Sequence, residues 1–281
     1  PTLHIDFGPV RRMFRFSCKI LATTIIQQIN NNILNILLGR YYSSRDAGYY
    51  NQAYQWNSKV IYLMQGMLGG VTQPVLVDLR NNSGRELAAL RKLMRFTAFL
   101  SFPLLLGFGL VAKEFIVLAI TAKWLASARL LQILSIGGAF LPLSTLLSSF
   151  IISQGKSGTY FVSTLVLCVV QIVTMLVIYP LGVTPMVVVI TLINVVWAFV
   201  WFFLAHRLIA YSPGMFLKDI VPFALAASAV MAVTYFVTKT ITTMWVLLVA
   251  RILIAAVLYF VVMKVARVKI LDECIAFILR R

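Results

Sequence analysis

The chain has 281 residues, 61% of them hydrophobic, with a mean hydropathy of +0.92. Only 12% are charged, against about 25% in an average soluble domain, which excludes a soluble enzyme, a disordered tail and a coiled coil. The charges that remain are lopsided, 25 Lys and Arg against 8 Asp and Glu for a net charge of +17. In so apolar a chain this balance points to membrane topology rather than to nucleic acid, because cytoplasmic loops collect Lys and Arg.

A membrane span with its share of loop takes about 30–35 residues, so the length allows roughly eight spans and predicts an all-α polytopic membrane protein. In chain order the apolar stretches fall at 14–38, 47–77, 95–112, 129–152, 159–179, 183–205, 220–238 and 244–263. The second is longer than a crossing requires, so it is expected to tilt or to project into water. Phe115 to Ile120 is too short to cross and is expected to lie in the interface beside Trp124. Around Arg85 to Arg91 the pattern reads as a short amphipathic connector ahead of the third span.

Basic residues then set the orientation. Arg40, Arg45, Lys113, Lys123, Arg129 and Lys239 fall on one side, Lys59 and Arg251 fall inside spans, and all the others fall on the opposite side. That excess puts both chain ends in the cytoplasm, in agreement with an even number of spans, which requires both ends on one side. The chain begins at Pro1, and the reading takes it as a piece of something longer, cut on the cytoplasmic side.

Two spans carry polar stripes, while the rest read as clean hydrocarbon. The first has Thr24, Gln28, Asn31 and Asn35 at helical spacing, widened by Gln27, Asn30 and Asn32. The second has Gln52, Gln55, Lys59, Tyr62 and Gly66 at steps of 3, 4, 3 and 4. Amides and an ammonium at membrane depth cost too much to face lipid. One such group alone would be glue between helices; two successive stripes predict a shared polar lumen. Lys59 either snorkels to the interface or meets an anionic group in that lumen. For Arg251, two turns from a span end, snorkelling is the stronger reading.

Catalytic and metal-binding patterns do not stand out. His4 and His206 lack ligand spacing, and Cys18, Cys168 and Cys274 are widely separated, so neither a metal site nor a disulfide framework is expected. Asp46, Asp78, Glu86, Glu114 and Asp219 all fall at span ends or in loops. The expectation is therefore no buried acid for a proton relay, no catalytic residue, no cofactor, and no Mg²⁺-dependent transferase.

Particular residues then resemble a known family. Leu38-Gly39-Arg40-Tyr41-Tyr42-Ser43, followed by Ala47-Gly48-Tyr49-Tyr50-Asn51-Gln52-Ala53-Tyr54-Gln55, resembles a conserved stretch of Wzx-type polysaccharide flippases. Pro74-Val75-Leu76, Phe102-Pro103-Leu104-Leu105-Leu106-Gly107 and Lys123-Trp124-Leu125-Ala126-Ser127 with Leu131-Gln132-Ile133-Leu134 follow in the family's order. Leu208-Ile209-Ala210-Tyr211-Ser212 and Lys218-Asp219-Ile220-Val221-Pro222 continue it. At Gly155-Lys156-Ser157-Gly158 the chain departs from the family pattern, with glycine in place of its acid and lysine in place of its arginine.

The resemblance is to the polysaccharide transporter branch of the multidrug/oligosaccharidyl-lipid/polysaccharide exporter superfamily, with its MATE-like fold. It implies a fourteen-span bundle of two six-helix lobes and two trailing helices, of which this chain would be the second lobe and the trailing pair. The implied segments are a cytoplasmic lead-in at 1–13, the six-helix lobe at 14–207, a connector at 208–219, the trailing helices at 220–266 and a cytoplasmic tail at 267–281. The implied function is non-enzymatic: flipping of an undecaprenyl-diphosphate-linked oligosaccharide across the bacterial inner membrane by alternating access. Its partners would be the lipid-linked substrate, membrane lipids and a preceding N-terminal lobe; whether H⁺ or Na⁺ is coupled to transport is left open by the sequence. The residues themselves suggest lumen groups at Thr24, Gln27, Gln28, Asn31, Asn35, Gln52, Gln55, Lys59 and Tyr62, and recruitment of the diphosphate by Arg15 and Lys19. Three alternatives stay open: a multidrug or cation antiporter of the same superfamily, a membrane polysaccharide polymerase or ligase, and a non-transporting structural membrane protein.

Overall fold

A computed structural model describes residues 8–78, 83–268, 270 and 271. The side chains of 8–13, 15, 16, 19 and 68–83 are outside the described set, as are the predicted tail beyond 271 and the lead-in before 8. Every regular element among the described residues is helical. In chain order they are α1 (Gly8–Tyr41), α2 (Ser44–Asp78), α3 (Ser83–Leu110), α4 (Ala112–Ala119), α5 (Leu125–Gly138), α6 (Leu141–Ser153), α7 (Ser157–Ile178), α8 (Val183–His206), α9 (Pro213–Thr238) and α10 (Met244–Val265).

Six stretches are long and apolar enough to cross a membrane: α3, α5 with α6, α7, α8, α9 and α10. Their outward positions are exposed aliphatics such as Val166, Val173, Leu192, Val196, Leu253 and Val257. α1 and α2, at 34 and 35 residues, have the length, but their amides and charges dilute the apolarity. The eight expected stretches all fall on helices.

Three boundaries differ from the sequence reading, each for a local reason. The stretch 129–152 is two helices, because Pro142 in the first turn of α6 has no N–H to continue the ladder from α5. The expected connector at Arg85 to Arg91 runs without a break into the third span as α3. α9 starts at Pro213, seven residues before the apolar stretch, because Ser212 caps it by accepting the Met215 N–H at 3.3 Å and proline suits the first turn.

Two apolar cores fix the helices. One joins α3 (Met94, Phe102, Leu105), α6 (Leu147, Phe150), α8 (Trp201, Phe202), α9 (Phe216, Phe223) and α10 (Tyr259, Met263). α9 and α10 are thus built onto α3, and the Tyr259 hydroxyl donates to the Phe99 carbonyl at 2.9 Å. The other joins α1 (Leu34, Leu38), α2 (Tyr50, Ala53), α4 (Ile116), α5 (Leu131), α7 (Met175) and α8 (Val187). One side of α4 is buried, with Ala112, Glu114 and Ile116 turned inward, so the short apolar piece packs against the bundle through that side.

Close approach of α5 and α8 depends on glycine. A Cβ on Gly137 would stand 2.8 Å from the Thr191 methyl and 3.3 Å from its carbonyl oxygen, whereas one on Gly66 would meet nothing. Gly137→Ala is therefore expected to cost about 1–3 kcal/mol, the usual penalty of overpacking, and Gly66→Ala to cost nothing. Thermal unfolding of the solubilised protein checks both.

Three acids expected at span ends or in loops are buried. Asp219 is 2% exposed and lies within the second turn of α9. It takes a bidentate grip from Arg91 on α3 at 2.8 and 3.0 Å, a further contact from Arg95 at 3.3 Å, and the Tyr211 hydroxyl at 3.0 Å. Burial, and next the Asp219 charge, hold the Tyr211 phenol above its ordinary range, so it remains a donor. Glu114 on α4 pairs with Arg251 on α10 at 2.9 Å, and Arg251 also donates to the Leu110 carbonyl and to Thr238. Arg251 is 7% exposed, so it does not snorkel. Early helix starts and an inward α4 produced these burials; neither shows in a hydropathy profile. Glu86, on α3, accepts from Gln154 beside the turn at Gly155, whose φ of 72° suits glycine. That pairing joins the α6–α7 turn to α3 where the family pattern would have placed an acid in the turn itself.

Candidate functional site

A cavity of 470 Å³ opens among α1, α2, α5, α6, α7 and α8. α1 presents Gln27, Gln28, Asn30 and Asn31, and α2 presents Tyr50, Tyr54, Asn57, Ser58, Tyr62 and Gln65. Across from them α6 contributes Ser144, Thr145, Ser148 and Ser149, α7 contributes Tyr160, Thr164 and Gln171, and α8 contributes Thr191, Asn194 and Trp201. Polar side chains on membrane-length helices are costly unless they face one another or water, and here they converge.

Hydrogen bonds along the cavity wall join α1 to α7, α2 to α6 and α7 to α8. Gln27 donates to the Tyr160 hydroxyl at 2.8 Å, Gln65 to the Thr145 hydroxyl at 3.0 Å and Gln171 to the Asn194 carbonyl oxygen at 3.0 Å. The Asn57 amide donates weakly to the Leu134 carbonyl at 3.4 Å, and a Cβ on Gly138 would stand 3.0 and 3.1 Å from its amide atoms, so a larger residue there would have to push Asn57 aside. Aromatic rings complete the surface: Tyr50 stacks on Tyr54, and Tyr160 tilts against Trp201 at 5.7 Å between centroids.

Of the residues singled out from sequence, Gln27, Gln28, Asn31 and Tyr62 are brought together here. Thr24 is exposed and spends its hydroxyl on the Ile20 carbonyl. Asn35, Gln52 and Gln55 do not line the cavity. Lys59 does not either: it is exposed, with its ammonium 3.9 Å from the centre of the Trp56 ring. Arg15 and Lys19 have side chains outside the described residues.

On α2 the cavity face is displaced by about one residue, some 100° of helix rotation, from the stripe that contains Lys59. The series Tyr50, Tyr54, Asn57, Ile61 and Gln65 has steps of 4, 3, 4 and 4, as regular as the one chosen. Also missed were Ser144, Ser148, Gln171 and Asn194, in spans read as clean hydrocarbon. Their signal is one small or amide residue per turn or two in an otherwise aliphatic helix.

Comparison with known proteins follows the same lines. Residues 1–129 match the family described as polysaccharide biosynthesis protein. Over 161 residues the chain is 26% identical to the teichuronic acid biosynthesis protein TuaB of Bacillus subtilis (strain 168) and 24% identical to the lipopolysaccharide biosynthesis protein WzxC of Escherichia coli (strain K12). Each of these matches covers 57% of this chain and 33% of the relative. The fold is similar to that of the lipid II flippase MurJ in an inward closed conformation, with a TM-score of 0.68 at 17% identity, over 92% of this chain and 53% of that one. The chain thus spans about half of that solved structure, and its matched part a third of the curated relatives. The motifs in their order, the matched first 129 residues and the shared fold agree: over the part of the length that it spans, the chain is similar to proteins of polysaccharide biosynthesis and has a fold like that of a lipid II flippase.

Proposed function

We propose that this chain forms one wall of the passage through a flippase that carries undecaprenyl-diphosphate-linked oligosaccharide across the bacterial inner membrane, with both described chain ends toward the cytoplasm. The observation that carries the reading is the polar cavity enclosed by α1, α2 and α5–α8 in a bundle whose outer surface is aliphatic. Sugar hydroxyls cannot enter hydrocarbon without losing several kcal/mol per unpaired group, and amides and hydroxyls replace the lost water. The names of the relatives, two of polysaccharide biosynthesis and one of lipid II flipping, support the same substrate class. Transport rather than enzymatic chemistry is the role proposed.

A cation antiporter would want an acid facing the cavity. Among the described residues Glu86, Glu114 and Asp219 are buried, but Glu114 and Asp219 are each taken up by arginine, Glu86 accepts from Gln154, and none of the three lines the cavity. Reconstitution of the full-length protein in liposomes with a fluorescent undecaprenyl-diphosphate oligosaccharide tests the proposal. The wild type is expected to move the label between leaflets, and Gln27→Leu with Asn31→Leu to slow it at least ten-fold while the thermal transition stays in place. A wild type that moves none of it defeats the reading.

A further inference from the structure

Resting on that flippase reading, we propose that this cavity is a subsite for an uncharged sugar of the glycan, and that the diphosphate and any acidic sugar of the substrate are held elsewhere. The first ground is charge. None of the described residues that line the cavity is Asp, Glu, Lys, Arg or His, in a chain whose net charge is +17. A diphosphate brought into such a lining would give up its hydration with no cation to replace it, and Lys59, the nearest sequence candidate for that task, lies against Trp56 outside it.

The second ground is the polarity of the unused hydrogen-bonding groups. Asn57 and Gln171 line the cavity and are 4% and 1% exposed. Each commits its N–H₂ to a carbonyl oxygen, of Leu134 and of Asn194. Their own carbonyl oxygens, together with that of Asn30, find no partner within the protein. For Asn57 the assignment is fixed, since only its nitrogen can face the backbone oxygen of Leu134. Three of the unsatisfied groups are therefore carbonyl acceptors, which require donors, and the fourth lining group without a partner, the Ser144 hydroxyl, can serve either way. Sugar hydroxyls and N-acetyl N–H groups supply both donors and acceptors; carboxylates and phosphates offer only acceptors and leave the three carbonyls unsatisfied. Tyr54 and Tyr160, half-buried in the wall, add apolar ring faces on which the C–H side of a sugar ring can lie. The volume of 470 Å³ falls in the usual range of small-ligand pockets, about 300–1,000 Å³.

Ligand-observed saturation-transfer NMR on the purified full-length protein tests this directly, with N,N′-diacetylchitobiose, a glucuronate-containing disaccharide, inorganic pyrophosphate and tetraphenylphosphonium as probes. The expected result is binding of the chitobiose, with the other three at least ten-fold weaker. Asn57→Ala and Gln171→Leu, each made separately so that one folding failure does not end the test, are expected to weaken chitobiose about ten-fold. Lys59→Ala is expected to leave it unchanged. Binding of glucuronate or pyrophosphate as tight as chitobiose, preferred binding of the cation, or indifference to both cavity variants overturns the assignment. If translocation of lipid-linked saccharide persists in such a case, the flippase reading stands and only the subsite falls. If no lipid-linked saccharide is moved at all, it is the flippase reading that fails.

Discussion

Replacing Glu114 by alanine is expected to destabilise the protein by about 3–5 kcal/mol, the cost of leaving a buried charge without its partner. The stranded group is the Arg251 guanidinium, whose side chain is only 9% exposed and which has no other acid among the described ion pairs. Its remaining bonds, to the Leu110 carbonyl at 3.2 Å and the Thr238 hydroxyl at 3.3 Å, hold it but do not neutralise it. Because the pair joins α4 to α10, the loss is expected to loosen the α9–α10 hairpin first. A sharper form of the prediction concerns both partners. Glu114→Leu combined with Arg251→Met removes both charges and substitutes apolar volume, and buried pairs so replaced are often neutral or better. The double variant is therefore expected to unfold at a higher temperature than Glu114→Ala. Thermal unfolding of the detergent-solubilised full-length protein decides it: additive losses in the double variant would show that the pair is not coupled.

Asp219→Ala is expected to cost less, about 1.5–3 kcal/mol, the range for hydrogen bonds to a charged group. The difference lies with the partners. Arg91 and Arg95 are 27% and 41% exposed and can rehydrate once the carboxylate is gone. The Tyr211 hydroxyl cannot, because Tyr211 is fully buried, so the connector between α8 and α9 is where the structure gives way. His206, whose Nδ1 lies 3.0 Å from the Tyr211 carbonyl oxygen, ties the end of α8 to the same point. Hydrogen exchange is expected to rise around 207–213 in the variant while that of α5 and α6 stays unchanged. Uniform protection across the connector would show that Asp219 does not hold it.

Much of this architecture was legible in the sequence because it rests on apolar length, which a one-dimensional profile records. Phe115 to Ile120 could be seen to be too short for a span, and α7, α8 and α10 could be placed within a few residues. What the profile does not record is which way a helix faces. Both Lys59 and Asn57 sit on α2 in regular polar series, and only the packing of Tyr50 and Ala53 against α5 decides that the Asn57 side faces inward. The stripe with the charge was the more conspicuous one, and apart from Tyr62 it lies off the cavity. Arg251 and Glu114 were missed as a pair for a related reason: they are 137 positions apart, and their meeting depends on the α9–α10 hairpin returning onto α3 and α4. Ser144, Gln171 and Asn194 escaped because a single amide or hydroxyl barely lowers the hydropathy of an aliphatic helix, although five helices each supplying a few polar groups make a polar chamber.

The central claim is that glycan passes along the surface formed by α1, α2 and α5–α8. Photo-crosslinking tests it most directly, with a photoreactive amino acid placed in the full-length protein at Gln28, at Tyr54 or, on the lipid face of α10, at Leu253. With undecaprenyl-diphosphate oligosaccharide present during turnover, glycan-specific staining is expected on adducts from Gln28 and Tyr54 and to disappear under competition by unlabelled substrate. The Leu253 position is expected to give no competed glycan adduct. Competed adducts from Leu253 with none from Gln28 or Tyr54 would place the path outside the cavity and contradict the account.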